Sequence, residues 1–312
     1  MGWNAGLKRI AIQDRNGTGS VQALVFYPTA TPPAPINIGP YTLHVAADAA
    51  PLVTESMPLV IVSHGSGSSP LAHRTLAAFL AENGCLVCLP EHAGNHRADN
   101  ALEGTFENLA ARPGHVRAVI EHLESSDEFA GLFSRGKLVL VGHSLGGHTA
   151  LSLAGGRPDT TMQVDFCRRP DNAGNPAYRA IAERMIAGPV PVGDSLTPAA
   201  VVLMVPGAID FAHDEGLTEL SAPVLLYTAE YDAESHEHAE VVMRGMERNG
   251  GHVTHRRVDN ATHYAFVSPF PEQIRDKVGA AGMDPPGFVR ADFQDEMHSE
   301  ILGFIRETTT DI

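Results

Sequence analysis

An apolar run that turns at once into a helix is the feature that most restricts how this chain can fold. Residues 138–150, LVLVGHSLGGHTA, pass from branched aliphatic residues through Gly-His-Ser-Leu-Gly into helix-forming residues. A strand that reverses so sharply crowds its own Cβ atoms, so the turn needs glycine on both sides. The pattern predicts a buried strand whose C-terminal end exposes the Ser144 hydroxyl, with the amides of a helix N-terminus directed at the same point.

Other apolar runs alternate with segments of helical spacing along most of the chain. Apolar runs predict buried strands at residues 58–65, 85–92 and 137–144, and the sheet is predicted to resume with strands at 199–207, 222–232 and 252–263. Helices are predicted at residues 71–84, around 116–123, directly after Ser144, at 235–248 and at 292–307. This alternation indicates right-handed βαβ units and a mostly parallel central sheet flanked by helices.

The N-terminal segment and one insertion depart from this pattern. Residues 8–14 and 21–27 alternate in polarity and are joined through Asn-Gly, which predicts an N-terminal β-hairpin. Residues 28–40 are rich in proline and are predicted to form an irregular surface loop. Residues 157–197 are interpreted as an irregular lid insertion that contains one short helix. Because no linker divides the chain, residues 1–312 are predicted to be a single domain.

A serine hydroxyl is a poor nucleophile until a base accepts its proton, so Ser144 requires a histidine partner. Among the 16 histidines, His263 follows the last predicted strand, where a loop would carry it back over the sheet edge. His236, His238 and His298 lie on predicted helices, and we expect them on solvated faces. His263 is therefore the predicted base.

The histidine in turn needs a carboxylate that fixes its tautomer. Asp232 ends the predicted strand before His263, and the order Ser144, Asp232, His263 is the one that this sheet topology requires. Asp210 follows the preceding strand and is the main alternative acid. Glu230 and Asp214 are the remaining ones.

The oxyanion of a tetrahedral intermediate requires two backbone N–H donors that are already in position. One is assigned to Leu145, directly after the nucleophile. The other is assigned to Ser66, in the turn HGSGSS that follows the strand at residues 58–65. Gly65 lets the backbone approach closely and is assigned to substrate binding. His143 is given the same role, although its side chain should point away from the reacting face.

Composition excludes several other classes of protein. The net charge is −15 and basic residues are scattered, so nucleic acid and anionic membrane surfaces are not expected partners. No apolar run reaches the roughly 18 residues of a membrane span, and no secretory signal is visible. The histidines of SHEHAE lack metal-ligand spacing, so neither a metal nor a cofactor is expected. Cys85 and Cys88 lie in an apolar strand and are expected to be inert. These features predict a soluble, cytoplasmic protein and leave homo-oligomerisation open.

With these residues placed, the chain resembles the α/β-hydrolases, and within them the dienelactone-hydrolase-like and platelet-activating-factor-acetylhydrolase-like esterases. The similar stretches are ALVFYPT, PLVIVSHGSGSS, LVCLPEHAGN, LVLVGHSLGGHTAL, DFC, APVLLYTAEYD and ATHYAF. The resemblance implies a metal-independent serine hydrolase of small-molecule carboxylic esters, with Ser144, Asp232 and His263 as its triad. Dienelactone hydrolases themselves carry a cysteine nucleophile, so the serine here favours ordinary ester cleavage over dienelactone.

The sequence leaves two further interpretations open. The same triad serves acyltransferases, which pass the acyl group to a nucleophile other than water. It also serves thioesterases and amidases, which cleave a thioester or an amide bond instead of an ester bond. A non-catalytic binding protein could also retain this fold. The natural ester and the length of its acyl chain are not encoded in any pattern that we can identify.

Overall fold

A ten-stranded sheet forms the centre of the fold in residues 2–13, 20–52 and 56–310, which the computed structural model describes, the side chain of residue 234 excepted. The strands are β1 Asn4–Gln13, β2 Ser20–Thr29, β3 Ala34–Ile38, β4 Tyr41–Ala47, β5 Met57–Ser63, β6 Leu86–Pro90, β7 Phe133–His143, β8 Ala200–Met204, β9 Val224–Ala229 and β10 Val253–Val258. Their order in the sheet is β10-β9-β8-β7-β5-β6-β2-β1-β4-β3.

The six strands from β10 to β6 in this order are parallel, and the others extend the sheet at one side. β2 joins β6 in antiparallel pairing. β1 pairs with β2 from Asn4↔Thr29 to Gln13↔Ser20, so the predicted hairpin pairing is confirmed, while its Asn-Gly turn lies outside the described residues. Because the carboxyl ends of parallel strands meet at one edge, the loops after β5, β7, β8 and β9 converge there.

Helices cover both faces of the sheet. They are α1 Arg74–Glu82, α2 Phe106–Ser125, α3 Leu145–Leu153, α4 Thr160–Arg168, α5 Pro176–Arg184, α6 Ala233–Asn249, α7 Glu272–Arg275 and α8 Arg290–Thr309. Val116 of α2, Leu151 of α3 and Val242 of α6 belong to the apolar layer on one face. Leu76 of α1 and Ile301 of α8 belong to the layer on the other. The predicted α/β architecture is therefore confirmed.

The irregular loop predicted at residues 28–40 is wrong in its second half. β3 and β4 pair antiparallel from Ala34↔Val45 to Ile38↔Tyr41, and Gly39 closes the turn with a φ of +56°. β3 is the last strand of the sheet, where Pro35 costs no inner ladder bond, so the proline content that indicated a loop is compatible with an edge strand.

The insertion at residues 157–197 contains more regular structure than predicted. The predicted short helix is α5, and α4 precedes it. Phe166, Cys167 and Tyr178 of these helices pack with Ile209 in a small apolar cluster of their own. The insertion therefore has a core that joins it to the loop after β8, and its action as a lid stays a prediction.

Candidate active site

Ser144 lies at the sharp turn between β7 and α3, at the edge where the parallel strands end. Its φ of +54° and ψ of −121° are strained values for a residue with a side chain. Three backbone hydrogen bonds hold this conformation: Ser144 N–H donates to Met204 O at 3.0 Å, while Gly147 and Gly207 N–H donate to Ser144 O. The turn is thus fixed to the end of β8.

The glycines around Ser144 are needed because backbone segments meet there. A Cβ at Gly142 would lie 2.2 Å from Gly146 O, and one at Gly146 would lie 1.9 Å from Ser63 O. A Cβ at Gly65 would lie 3.2 Å from the Ser144 Cβ. The turn after β5 is therefore packed against Ser144, as two amides that serve one oxyanion would require.

His263 and Asp232 form a hydrogen-bonded pair. The His263 Nδ1 lies 2.6 Å from Asp232 Oδ2, and the Asp232 side chain is 10% exposed. A carboxylate at Nδ1 holds the proton on that nitrogen, which leaves Nε2 free to accept a proton from a hydroxyl. This pair can therefore act as a general base.

The three alternative acids are elsewhere. Asp210 is buried and its Oδ2 lies 3.0 Å from Nε2 of a different histidine, His148 of α3. Glu230 pairs with Arg257 at 3.1 Å, and Asp214 pairs with Arg248 at 3.2 Å. The structure brings Asp232, and none of these three, to His263.

Ser144, Asp232 and His263 line one open cleft of about 290 Å³. Its other lining residues are Val205, Pro206, Gly207, Ser235 and His238. Ser235 Oγ donates to Asp232 O at 2.7 Å and so braces the start of α6. The cleft therefore combines a hydroxyl, a base and a wall contributed by the ends of β8 and β9.

Two of the three helix histidines are not on solvated faces, so that expectation is wrong for them. His298 is 3% exposed and its Nε2 lies 3.0 Å from Gln294 Oε1, because this side of α8 packs on the sheet. His238 lines the cleft, because α6 begins at the sheet edge beside Asp232. His236 is half-buried.

His143 is buried beneath His263 and lies outside the cleft lining. Its Nε2 lies 3.0 Å from the backbone carbonyl of His263, and the two rings are 5.1 Å apart. Burial, with His263 beside it, holds the pKa of His143 well below its usual range, so the imidazole is neutral and donates Nε2–H to that carbonyl. This contact anchors the loop that carries His263, while the assignment of His143 to substrate binding stays a prediction.

The Gly65–Ser66 peptide, which carries the N–H assigned to the oxyanion, is oriented by His64. The backbone N–H of His92 donates to His64 Nε2 at 3.3 Å, so the ring proton is on Nδ1, which donates to Gly65 O at 2.8 Å. Burial, with the nearby Arg112 charge, keeps the pKa of His64 well below its usual range and the ring neutral. Since N–H and C=O of one peptide point in opposite directions, this bond aims the Ser66 N–H away from His64.

Arg112 of α2 is a buried residue of the site region that was not predicted from the sequence. It is 1% exposed and donates to Thr149 Oγ1 at 3.0 Å, Asn95 Oδ1 at 2.6 Å, Ser63 Oγ at 3.3 Å and the His64 carbonyl. Burial lowers its pKa, but a guanidinium stays cationic at neutral pH. One side chain thereby ties the helix behind Ser144 to the end of β5.

The Arg112 network extends to the exposed Ser66 side chain through Asn95. The Asn95 Nδ2 donates to Ser66 Oγ at 3.0 Å and to Asn100 Oδ1 at 2.7 Å, while its Oδ1 accepts from Arg112. The spacing of α2 contains the signal that was missed, because Arg112 falls on the same face as the buried Leu109, Val116 and Leu123.

We expect Arg112→Met to lower the free energy of unfolding by about 2–4 kcal/mol and kcat by about 10–100-fold. The thioether fills the space but removes the donor to the buried acceptors at His64 O and Asn95 Oδ1. Urea unfolding and steady-state ester kinetics measure the two effects separately. A folded variant with unchanged kcat would show that Arg112 supports the fold and does not position the oxyanion turn. Arg112→Lys, which keeps the charge but not the planar set of donors, is the matched control. Its unfolding free energy and its kcat should lie between those of the wild type and those of Arg112→Met.

No three His, Cys, Asp or Glu side chains of the described ranges come together as a metal ion would need. Cys85, Cys88 and Cys167 are buried cysteines, and burial raises the pKa of Cys85 to about 12. The helices in the part of the chain that the structure describes are all too short or too polar to cross a bilayer.

Comparison with known proteins agrees with this fold. A family model described as serine aminopeptidase, S33, matches residues 54–166. A ferulic acid esterase from Streptomyces cinnamoneus superposes with a TM-score of 0.65 at 16% identity, covering 99% of this chain and 90% of that one. A dienelactone hydrolase-like promiscuous phosphotriesterase from metagenomic libraries gives a TM-score of 0.56 at 14% identity, covering 97% and 98%. No curated protein matches the chain.

The sheet order, the strained serine turn and these matches define the class of fold: the chain has an α/β-hydrolase fold. The family model covers the region from just before β5 to within α4, which includes Ser144. The fold expected from the sequence is thereby confirmed.

Proposed function

We propose that the protein hydrolyses carboxylic esters through an acyl-enzyme on Ser144. The observation that carries this proposal is the 2.6 Å pair of His263 and Asp232 in the same cleft as the Ser144 hydroxyl. A mostly buried carboxylate behind a partly exposed imidazole is the arrangement that makes a serine nucleophilic at neutral pH. The similar structure of a ferulic acid esterase favours an ester over other acyl compounds.

The reaction has two steps. Ser144 Oγ attacks the ester carbonyl while His263 Nε2 takes its proton, and the oxyanion forms between the N–H groups of Ser66 and Leu145. The imidazolium then protonates the departing alkoxide, which leaves as an alcohol. A water molecule, deprotonated by the same imidazole, attacks the acyl-enzyme and releases the acid and the free serine.

The N–H of Leu145 is suited to its role because it opens α3. The first amides of a helix have no partner within the helix and carry the positive end of its dipole. Ser66 reaches the same point because Gly65 allows the turn after β5 to approach Ser144. The His64 and Arg112 contacts hold that amide in place before the charge develops, which is what electrostatic stabilisation of a transition state requires.

Hydrolysis of p-nitrophenyl esters from acetate to dodecanoate, with fluorophosphonate labelling, tests the proposal. We expect turnover of at least one ester and one label per chain, on the peptide that contains Ser144. A chain that neither turns over an ester nor takes the label would be a binding protein, and the proposal would be wrong. Added alcohols or amines separate hydrolysis from acyl transfer, because a transferase would divert the acyl group to them and release little acid.

A further inference from the structure

His238 is a cleft residue whose tautomer is fixed by the backbone. Its Nδ1 accepts a hydrogen bond from the N–H of Ala208 at 2.8 Å. A ring nitrogen that accepts such a bond carries no proton, so the proton of the neutral imidazole is on Nε2. Burial lowers the pKa of His238 to about 4, against the opposing effect of Asp210, Asp232 and Glu237, and keeps the ring neutral. His238 therefore presents one N–H donor at neutral pH.

The contacts of the ring hold it against one wall of the cleft. The Phe166 ring packs edge-on against it with centroids 5.9 Å apart, and the Ala208 N–H holds its Nδ1. The Nε2 donor makes no hydrogen bond to any residue that the structure describes. A donor in a cleft that lacks a protein acceptor needs water or a ligand oxygen as its partner.

The position of His238 separates it from the oxyanion donors. The oxyanion turn follows β5, which lies on one side of β7, while Ala208 and His238 follow β8 and β9 on the other side. An ester carbonyl that points towards Ser66 and Leu145 therefore points away from His238. The partner of His238 must be another atom of the substrate.

We propose that His238 is a specificity-determining residue that donates Nε2–H to a second, uncharged oxygen of the substrate, separate from the scissile carbonyl. The proposal rests on the proposed function and deepens it, because it names the substrate class as esters that carry an ether, hydroxyl or carbonyl oxygen near the reacting group. A carboxylate is disfavoured, since Asp232 lines the same cleft and Asp210 lies close to His238.

Matched esters test this contact. p-Nitrophenyl hexanoate is compared with analogues in which oxygen replaces the methylene at position 3, 4 or 5 of the acyl chain, and hexyl acetate is compared with its oxygen-substituted alcohols. The acyl and alcohol series distinguish which side of the ester meets His238. For each pair, the ratio of kcat/KM is followed across variants, so that intrinsic differences in ester reactivity cancel.

Two substitutions separate the cleft donor from the backbone contact. In His238→Asn, Oδ1 can still accept from Ala208 but the Nε2 donor is absent; in His238→Gln, an amide N–H is restored near the Nε2 position. We expect the oxygen-to-methylene ratio to fall about fivefold to tenfold in His238→Asn for at least one position, and to recover in His238→Gln. His236→Asn, on the same helix but outside the cleft lining, should leave every ratio unchanged.

A structural role alone would lower kcat/KM for both members of each pair equally and leave the ratios constant. Ratios that stay within about twofold of wild type in His238→Asn, across both series, would overturn the proposal. This outcome is distinct from failure of the proposed function. His238→Asn would still hydrolyse unsubstituted p-nitrophenyl hexanoate and take the fluorophosphonate label, and both measurements report on the triad because neither reagent carries the second oxygen.

Discussion

Replacing Ser144 with alanine is expected to lower kcat for esters by roughly 10⁴–10⁶-fold, because the acyl-enzyme can no longer form. The residual rate would come from binding and from the oxyanion donors, which do not depend on the hydroxyl. The fold should be retained. The backbone N–H of residue 144 can still donate to Met204 O in the variant. Alanine also has the same backbone strain at a φ of +54° as serine does.

Single-turnover kinetics with a p-nitrophenyl ester and mass spectrometry of the fluorophosphonate adduct measure this loss. Ser152→Ala is the matched control. Ser152 lies two turns further along α3, and its Oγ is 3.5 Å from His148 Nδ1, whose Nε2 in turn faces Asp210. That second serine, histidine and aspartate are all buried, so no ester can reach them, and we expect this variant to keep its kcat. Full activity in Ser144→Ala would show that another group is the nucleophile.

The features that were predictable from sequence are those encoded by local patterns. A continuous aliphatic run such as residues 59–62, which is buried on both faces, is typical of an inner parallel strand. The turn at Ser144 was predictable for a similar reason, because the glycine at position 142 relieves a clash with the backbone of Gly146, only a few residues away. Chain order then restricted the choice of base and acid to the loops after the last strands.

The features that were missed depend on contacts between distant segments. Pro35 indicated a loop because proline disfavours inner strands. It is tolerated here because β3 is an edge strand, where the missing N–H costs little. The segment alone does not show that it lies at the edge of the sheet. Arg112 and His238 were missed because such side chains are usually solvated. Each lies on the buried face of its helix, but the acceptors of Arg112 and the Ala208 donor to His238 come from other elements.

The choice between Asp232 and Asp210 as the triad acid gives the second large effect. Asp232→Asn is expected to lower kcat by roughly 10⁴-fold, because a side-chain amide that donates to Nδ1 places the ring proton on Nε2, the nitrogen that must accept from Ser144. Asp210→Asn should keep kcat within about tenfold of wild type and instead lower the free energy of unfolding by about 3 kcal/mol, since it breaks a buried pair with His148.

Asp232→Asn is thus expected to lose mainly kcat, and Asp210→Asn mainly free energy of unfolding. Each variant is therefore the control for the other. Both are measured by steady-state kinetics and urea unfolding under the same conditions. The two Asp→Asn substitutions change size and charge in the same way, and both carboxylates lie within 3.0 Å of a histidine nitrogen. A difference in kcat between the variants therefore reports which histidine serves the nucleophile. A larger loss of kcat in Asp210→Asn than in Asp232→Asn would reverse the assignment and would require the loop after β8 to supply the acid, with His263 working from a different geometry.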